Sequence, residues 1–172
     1  MRILYTASEA LPYAASGGLA DVAGSLPAAL CKAGHDCRVV LPLYKSIKPE
    51  LRKDLRFLMN FTVDVGWRKQ YCGVFEGHAN NVTYYLLDNE YYYARDGLYG
   101  FYDDCERFVF LSRAVMELIR HIDWKPQIIN CNDWQTALVP VYYQTYYKYQ
   151  HGYEDIKTVF TIHNIQYQGK YG

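Results

Sequence analysis

The order of apolar segments near the start of the chain constrains the fold more than any other feature. RILYTAS and CRVVLPLY each read as a short strand, and LADVAGSLPAALCKAG between them has helical periodicity. The residues at helical spacing are Val22, Leu26, Leu30 and Ala33. Gly34 is placed as a helix stop, and Pro27 predicts a kink or a helix start near Ser25. A strand–helix–strand crossover is right-handed almost without exception and implies a parallel sheet.

The rest of the chain repeats this alternation around an inserted antiparallel segment. Alternating apolar residues from Phe57 to Asn89 predict a β-meander or hairpin. No helical or strand periodicity of apolar residues occurs in YYYARDGLYGFYDD, which predicts a surface loop. A helix with Asp103 or Asp104 as its N-cap follows this loop. The apolar stripe of that helix is Phe108, Leu111, Val115, Leu118 and Ile122. QIINCND and KTVFTIHN predict two further strands, joined by a helix kinked at Pro140.

The sequence therefore predicts an α/β fold: a Rossmann-like, doubly wound, mostly parallel sheet with an inserted hairpin or meander. Residues 1–172 are expected to form a single, incomplete domain, because the sequence ends just after a predicted strand, where a doubly wound sheet needs its next helix.

Composition excludes several classes of function. Eighteen basic and eighteen acidic residues cancel without a block of like charge, so nucleic acid and anionic membranes are not expected partners. Five cysteines without a C-x-x-C pair predict free thiols and a cytoplasmic location. No segment approaches the length of a membrane span. Nineteen tyrosines suit sugar rings, but they suit buried cores equally well.

Polar residues follow three of the predicted strands, and ligands of open α/β sheets bind at that edge. The first group is Ser16, Gly17 and Gly18 with Asp21, the second is the segment from Asn130 to Asp133, and the third is Thr161 to His163 with Asn164. The glycine pair would let backbone N–H groups approach a ligand, or would serve only a tight turn. Asp133 is expected to cap the helix that starts at Trp134, and Asp21 suits a helix N-terminus; both could instead bind sugar hydroxyls.

Other catalytic signatures are missing. G-x-G-x-x-G is absent, which disfavours a nicotinamide or flavin enzyme, and G-x-S-x-G is absent, which disfavours a serine hydrolase. No cysteine cage or H-E-x-x-H occurs, so neither a metal nor a cofactor is expected. His163 ends an apolar strand aimed at the predicted site, and we therefore expect it to be functional.

Four motifs in this order, SGGLADVAGSLPAAL, DDCERFVFLSRAV, NDWQTALVPVYY and VFTIHNIQYQG, resemble the N-terminal domain of bacterial glycogen synthases and plant starch synthases, glycosyltransferase family 5. The resemblance implies a GT-B architecture in which a second Rossmann-like domain, absent from this chain, holds most of the nucleotide-sugar. It further implies transfer of glucose from ADP-glucose or UDP-glucose to the non-reducing end of an α-1,4-glucan, with retention and without a metal.

The same resemblance assigns residues to roles. His163 matches the active-site histidine that hydrogen-bonds the transferred glucose, and Gly17 and Gly18 match the loop that approaches the donor. Asp21 and Asp133 match positions lining the cleft, and Tyr99 matches a tyrosine near the donor. The family commonly has lysine where this chain has Ala15, and losing a preorganised cation costs about 3 kcal/mol of transition-state stabilisation. Another basic group, or backbone N–H groups with Ser16, would have to replace it.

The incomplete cleft predicts that these 172 residues are inactive alone. The alternative is a non-catalytic module that binds glucan through its tyrosine-rich surface.

Overall fold

The computed structural model describes residues 1–171, which form one mixed sheet with helices packed against it. Its strands are β1 (Arg2–Thr6), β2 (Asp36–Pro42), β3 (Arg56–Val65), β4 (Arg68–Ala79), β5 (Val82–Asp88), β6 (Ile128–Asn132) and β7 (Lys157–Thr161). Its helices are α1 (Gly18–Lys32), α2 (Pro49–Lys53), α3 (Glu90–Tyr93), α4 (Asp104–His121) and α5 (Leu138–Tyr142), with a 3₁₀ turn at Trp134–Thr136 and a π-helical turn at Tyr143–Tyr147. None of these described helices could cross a membrane.

The sheet combines a parallel part with an antiparallel meander, as expected. Its strand order is β3-β4-β5-β2-β1-β6-β7. β1 runs parallel to β2 and β6, β2 to β5, and β6 to β7. β3, β4 and β5 are antiparallel neighbours, so the meander joins the parallel sheet through β5. The predicted α/β class with an inserted meander is confirmed.

The connections run in opposite directions from the centre of the sheet. The β1–α1–β2 crossover moves toward β3, whereas the crossovers that lead through α4 to β6 and through α5 to β7 move away from it. Because such crossovers are right-handed, α1 covers one face and α4 and α5 cover the other. α4 and α5 pack against each other, as this arrangement requires. The strand order reverses between β1 and β6, which is therefore the topological switch point.

Helix α1 buries a different face from the one that its large apolar residues predict. Its buried residues are Leu19, Ala20, Ala23, Gly24 and Pro27. Leu26, in the predicted stripe, is 42% exposed, and Ala33 is also exposed. A Cβ on Gly24 would lie 2.8 Å from the Cβ of Leu11, so small residues let the helix approach the segment before it. The helix begins at Gly18, not near Ser25, and Pro27 lies within it.

Helix α4 carries four residues of the predicted apolar stripe, the fifth, Ile122, directly follows the helix, and all five are buried. Asp103 occupies the predicted N-cap position, but neither acidic residue caps the helix with its side chain. Asp103 binds Arg95 at 2.5 and 2.6 Å, and Asp104 accepts a hydrogen bond from the Gly100 N–H at 2.7 Å. The preceding segment is only partly a surface loop, since α3 forms there and its tyrosines Tyr92 and Tyr93 are fully buried.

The helical segment after β6 is broken, where one kinked helix was expected. A 3₁₀ turn, α5 and a π-helical turn follow one another from Trp134 to Tyr147. Pro140 lies inside α5 and lacks the N–H that would continue an α-helical ladder back to Thr136. The π-helical turn brings Tyr143 and Tyr147 to the buried side, where the Tyr143 hydroxyl donates to the Tyr153 carbonyl oxygen at 3.2 Å.

Candidate functional site

The candidate site lies at the carboxyl edge of the sheet, around the switch point between β1 and β6. Thr6 pairs with Cys131 and Asn132 with Thr161, so the loops after β1, β6 and β7 leave the same edge. All three groups of polar residues predicted from the sequence follow these strands. Open α/β sheets bind ligands in this crevice.

His163 is held by the residues that end β6. Its Nε2 lies 2.9 Å from Oδ1 of Asn132, and its backbone N–H donates to Oδ1 of Asp133 at 2.7 Å. Asn132 is fully buried, and its Nδ2 donates to the carbonyl oxygen of Thr6 at 3.0 Å and to Oδ1 of Asn130 at 2.9 Å. Because these acceptors orient the amide, the oxygen of Asn132 must face the imidazole.

The orientation of Asn132 determines the tautomer of His163. An amide oxygen only accepts, so Nε2 of the imidazole carries the hydrogen. Nδ1 therefore presents a lone pair when the ring is neutral and a second N–H when it is protonated. Within residues 1–171 no hydrogen bond engages Nδ1. The ring can accept from a sugar hydroxyl or donate to a developing negative charge at this atom.

Asp133 occupies the predicted N-cap position, here of the 3₁₀ turn at Trp134–Thr136, but its side chain does not cap that turn. Its side chain makes no capping bond and instead reaches the next loop, where Oδ1 accepts from the N–H groups of His163 at 2.7 Å and Asn164 at 3.4 Å. Its backbone has φ 57° and ψ 179°, a region that residues with a Cβ rarely adopt. The Asp133 N–H donates to the Thr161 carbonyl oxygen at 2.9 Å. This strained residue therefore ties the β6 and β7 loops together.

Glu9 is the functional candidate that the sequence analysis missed. It is 3% exposed, and its Oε2 accepts from the N–H of Ser16 at 2.5 Å and from the Ser16 hydroxyl at 2.7 Å. Burial raises the pKa of Glu9, against the hydrogen bonds from Ser16, and the charge of Asp133 adds to the rise. Glu9 follows β1 as Asp133 follows β6, so the rule that selected Asp133 would also have found it.

The carboxylate of Glu9 thus binds the inner side of the glycine loop, Ala15 to Gly18. Ser16 has both of its donors engaged with Glu9, and Ala15 beside it is exposed. The glycines have no role in a tight turn: Gly17 is extended, with φ −163°, and Gly18 does not have positive φ. A Cβ on Gly18 would meet nothing within 4 Å, which leaves open space beside the start of α1.

Tyr99 reaches the site from the segment before α4. Its hydroxyl lies 2.7 Å from the Ser8 hydroxyl, next to Glu9, and its ring lies 5.8 Å from that of Phe108. Phe108 in turn meets Trp134 edge-on at 5.1 Å, so an aromatic row connects this segment to the residue after Asp133.

Two residues predicted to bind substrate, Asp21 and Asn164, make no side-chain hydrogen bond with the other predicted site residues among residues 1–171. Asp21 is exposed in the first turn of α1, where the helix dipole favours a carboxylate. Asn164 turns its side chain onto its own loop, accepting from the Gln166 N–H at 3.0 Å. A groove lies between Trp134 and residues 166–171, in the segment that follows Asn164, and Lys170 lines it. Residues 1–171 hold no group of three or more His, Cys, Asp or Glu side chains placed to bind a metal.

Comparison with known proteins gives consistent matches. The sequence profile of the family described as "Starch synthase catalytic domain" matches residues 2–172. The glycogen synthase of Clostridium botulinum (strain Alaska E43 / Type E3) is 55% identical over 98% of this chain and 36% of its own length. The glycogen synthase of Geobacillus thermodenitrificans is 50% identical over 98% of this chain and 35% of its own length.

A solved structure agrees with these sequence matches. It is the catalytic domain of Starch Synthase IV from Arabidopsis thaliana bound to ADP and acarbose, with a TM-score of 0.90 and 32% identity over 97% of this chain and 34% of that chain. This chain thus spans about a third of the length of the curated relatives that it matches. With a profile match along its length and relatives at half identity or more, the chain belongs to the starch synthase catalytic domain family, whose matched members are glycogen synthases.

Proposed function

We propose that this chain is the acceptor-side half of a glycogen synthase that transfers glucose from ADP-glucose or UDP-glucose to the non-reducing end of an α-1,4-glucan, with retention and without a metal. The observation that carries the proposal is the imidazole of His163, held at the switch point by buried Asn132 with Nδ1 left open. The relatives named glycogen synthases, and the related starch synthase bound to ADP and acarbose, support this substrate class.

In this proposal His163 is the catalytic residue. The Nδ1 atom hydrogen-bonds the transferred glucose and stabilises charge that develops as the bond to the leaving phosphate breaks. Asp133 and Asn132 hold the backbone and the ring of His163, which keeps the imidazole preorganised. Preorganised polar groups stabilise a transition state because they need not reorient during the reaction.

The glycine loop contributes space to the donor site, with no side-chain cation of its own. Open space beside Gly18 admits the donor, but Ser16 is engaged by Glu9 and Ala15 carries no charge. We therefore assign the diphosphate mainly to the second domain. The diphosphate held by that domain would still face this loop, where Ala15 is exposed, so Ala15→Lys in the full-length protein should lower the KM for the donor. An unchanged KM would show that the phosphates lie out of reach of the loop.

We further propose that the rest of the protein completes this half. Val159 and Phe160, on opposite faces of β7, are 45% and 44% exposed, so both faces of that strand keep exposed apolar surface within the described residues. Transfer needs both reactants enclosed in one cleft. Residues 1–172 alone should not incorporate radiolabelled glucose into glycogen, and measurable incorporation would contradict this. The five free thiols suit a cytoplasmic protein.

The test of the function is His163→Ala in the full-length protein. If His163 acts in the transition state, the variant lowers kcat about a hundredfold or more and changes the dissociation constant of the donor far less. His151→Ala is the matched control, because His151 is exposed and precedes β7 at the opposite edge of the sheet. Equal losses in turnover and donor binding would contradict the role.

The same protein distinguishes the alternative of a glucan-binding module. Exposed tyrosines such as Tyr102, at 92%, and Tyr149, at 89%, could contact glucan without catalysis. A module would bind maltoheptaose tightly with no glucosyl transfer by the full-length protein, and His163→Ala would leave that binding unchanged.

A further inference from the structure

A buried ion pair lies beneath the loop that carries Tyr99. Asp104 is 4% exposed and Arg107 is fully buried, and Nη1 of Arg107 donates to Oδ1 of Asp104 at 2.6 Å. Three aromatic rings, including those of Phe101 and Phe108, lie within 6 Å of the guanidinium carbon. Removing both charges from water costs free energy that mutual attraction only partly restores, so such a pair is weak evidence for stability alone.

The pair holds the backbone on both sides of Tyr99. Nη1 of Arg107 donates to the carbonyl oxygen of Leu98 at 2.9 Å. Oδ2 of Asp104 accepts from the N–H of Gly100 at 2.7 Å. Gly100 has φ 93°, and its segment is neither helix nor strand, so these bonds take the place of a regular ladder.

Arg107 also anchors the loop to a second element. Its Nε donates to the carbonyl oxygen of Tyr92 at 2.8 Å, at the end of short helix α3. The fork of the guanidinium therefore fixes α3, α4 and the Tyr99 loop with one side chain. Lysine has the charge of arginine but lacks this planar fork.

The result is a defined position for the Tyr99 hydroxyl at the site. That hydroxyl lies 2.7 Å from the Ser8 hydroxyl, which follows β1 at the switch point. We propose that Asp104 and Arg107 are positioning residues that fix the Tyr99 hydroxyl against Ser8 so that it can contact the donor. The effect on turnover rests on the glycosyltransferase function proposed above.

The test is a double-mutant cycle in the full-length protein, with Arg107→Lys and Tyr99→Phe. Arg107→Lys should lower kcat/KM about tenfold alone, because a small misplacement of a binding group has effects of this size. It should lower kcat/KM less than twofold in the Tyr99→Phe background, because the hydroxyl that it positions is already gone. An equal fold-loss in both backgrounds would show a merely structural role and overturn the proposal.

Hydrogen exchange of the peptide containing residues 97–101 gives a second readout that does not need activity. Arg107→Lys should speed exchange at Gly100. Asp103→Asn, which breaks the neighbouring pair with Arg95 but touches no residue from 98 to 100, should not. If the unmodified full-length protein transfers no glucose, the proposed function fails, and exchange alone decides whether the pair holds the loop. Unchanged exchange in Arg107→Lys would overturn the positioning role, and Asp104→Asn repeats the measurement should Arg107→Lys not fold.

Discussion

Two glycines of helix α1 should respond in opposite ways to the same substitution. Gly18, at the start of the helix, has nothing within 4 Å of the position of a Cβ. Gly24, six residues later, has the Cβ of Leu11 at 2.8 Å and the Leu11 carbonyl oxygen at 2.9 Å from that position. Both residues are helical, so propensity alone would favour alanine at either position by up to about 1 kcal/mol.

The magnitudes follow from these contacts. Gly18→Ala should leave the free energy of unfolding unchanged or raise it by about 0.5 kcal/mol, since the position is at the helix end. Gly24→Ala should lower it by about 1–2 kcal/mol, because overpacking costs about 1–3 kcal/mol and propensity offsets part of that. Urea unfolding of the 172-residue chain measures both values.

Activity should show the reverse order if the space beside Gly18 belongs to the substrate. In the full-length protein Gly18→Ala should lower kcat/KM about tenfold or more, equivalent to about 1.4 kcal/mol of transition-state stabilisation. Gly24→Ala should retain kcat/KM, once corrected for the folded fraction, because its Cβ faces Leu11. Gly18→Ala with kcat/KM within twofold of the unmodified protein would refute the assignment of this space to a ligand.

Three further predictions concern strain, pH and thiols. In urea unfolding Asp133→Gly should be more stable than Asp133→Ala by about 1 kcal/mol, because both variants lose the bonds to His163 and only glycine relieves a backbone strain of about 1–3 kcal/mol. At Asp21, which lies in a helix, the alanine variant should be the more stable of the two. The same order of stability at both sites would count against backbone strain at Asp133. Glu9→Gln should raise stability at neutral pH, because burial raises the folded-state pKa of Glu9 above its unfolded value and the unmodified protein loses stability as the pH rises through the folded pKa. The urea midpoints of the variant and the unmodified protein should therefore converge as the pH falls from neutral to acidic. A constant difference between the two midpoints would contradict this sign. Cys105, the exposed thiol, should react first with a disulfide reagent, whereas burial raises the pKa of Cys37 to about 12 and slows the reaction of that thiol. Cys105→Ser should abolish the fast phase of the reaction. A fast phase that remains in this variant would show another reactive thiol.

Element types were predictable from the sequence because they depend on local periodicity. The stripe of α4 consists of large residues and was predicted correctly. In α1 the large residue Leu26 is exposed and the small residues Ala20, Ala23 and Gly24 are buried, because the segment containing Leu11 lies against Gly24. Hydrophobicity along a helix cannot report a neighbour of that kind.

The candidate site likewise has features that the sequence predicts and contacts that only the tertiary structure shows. The rule that ligands bind at the carboxyl edge of the sheet identified the loops that carry Gly18, Asp133 and His163, and the structure brings these loops to one edge. The rule does not assign partners: the side chain of Asp133 binds the β7 loop and does not cap a helix, and Glu9 binds Ser16 in the glycine loop. Both carboxylates bind backbone N–H groups that only the tertiary structure brings near them.

By itself, the sequence determined the alternation of strands and helices and the family to which the motifs belong, since periodicity and motif spacing are properties of the chain in order. The tertiary structure alone decided which face of α1 is buried, that Asn132 sets the tautomer of His163, and that Glu9 occupies the glycine loop. These depend on contacts between strands and loops distant in sequence, and the free energy of each contact is set by which groups meet and how far they are removed from water.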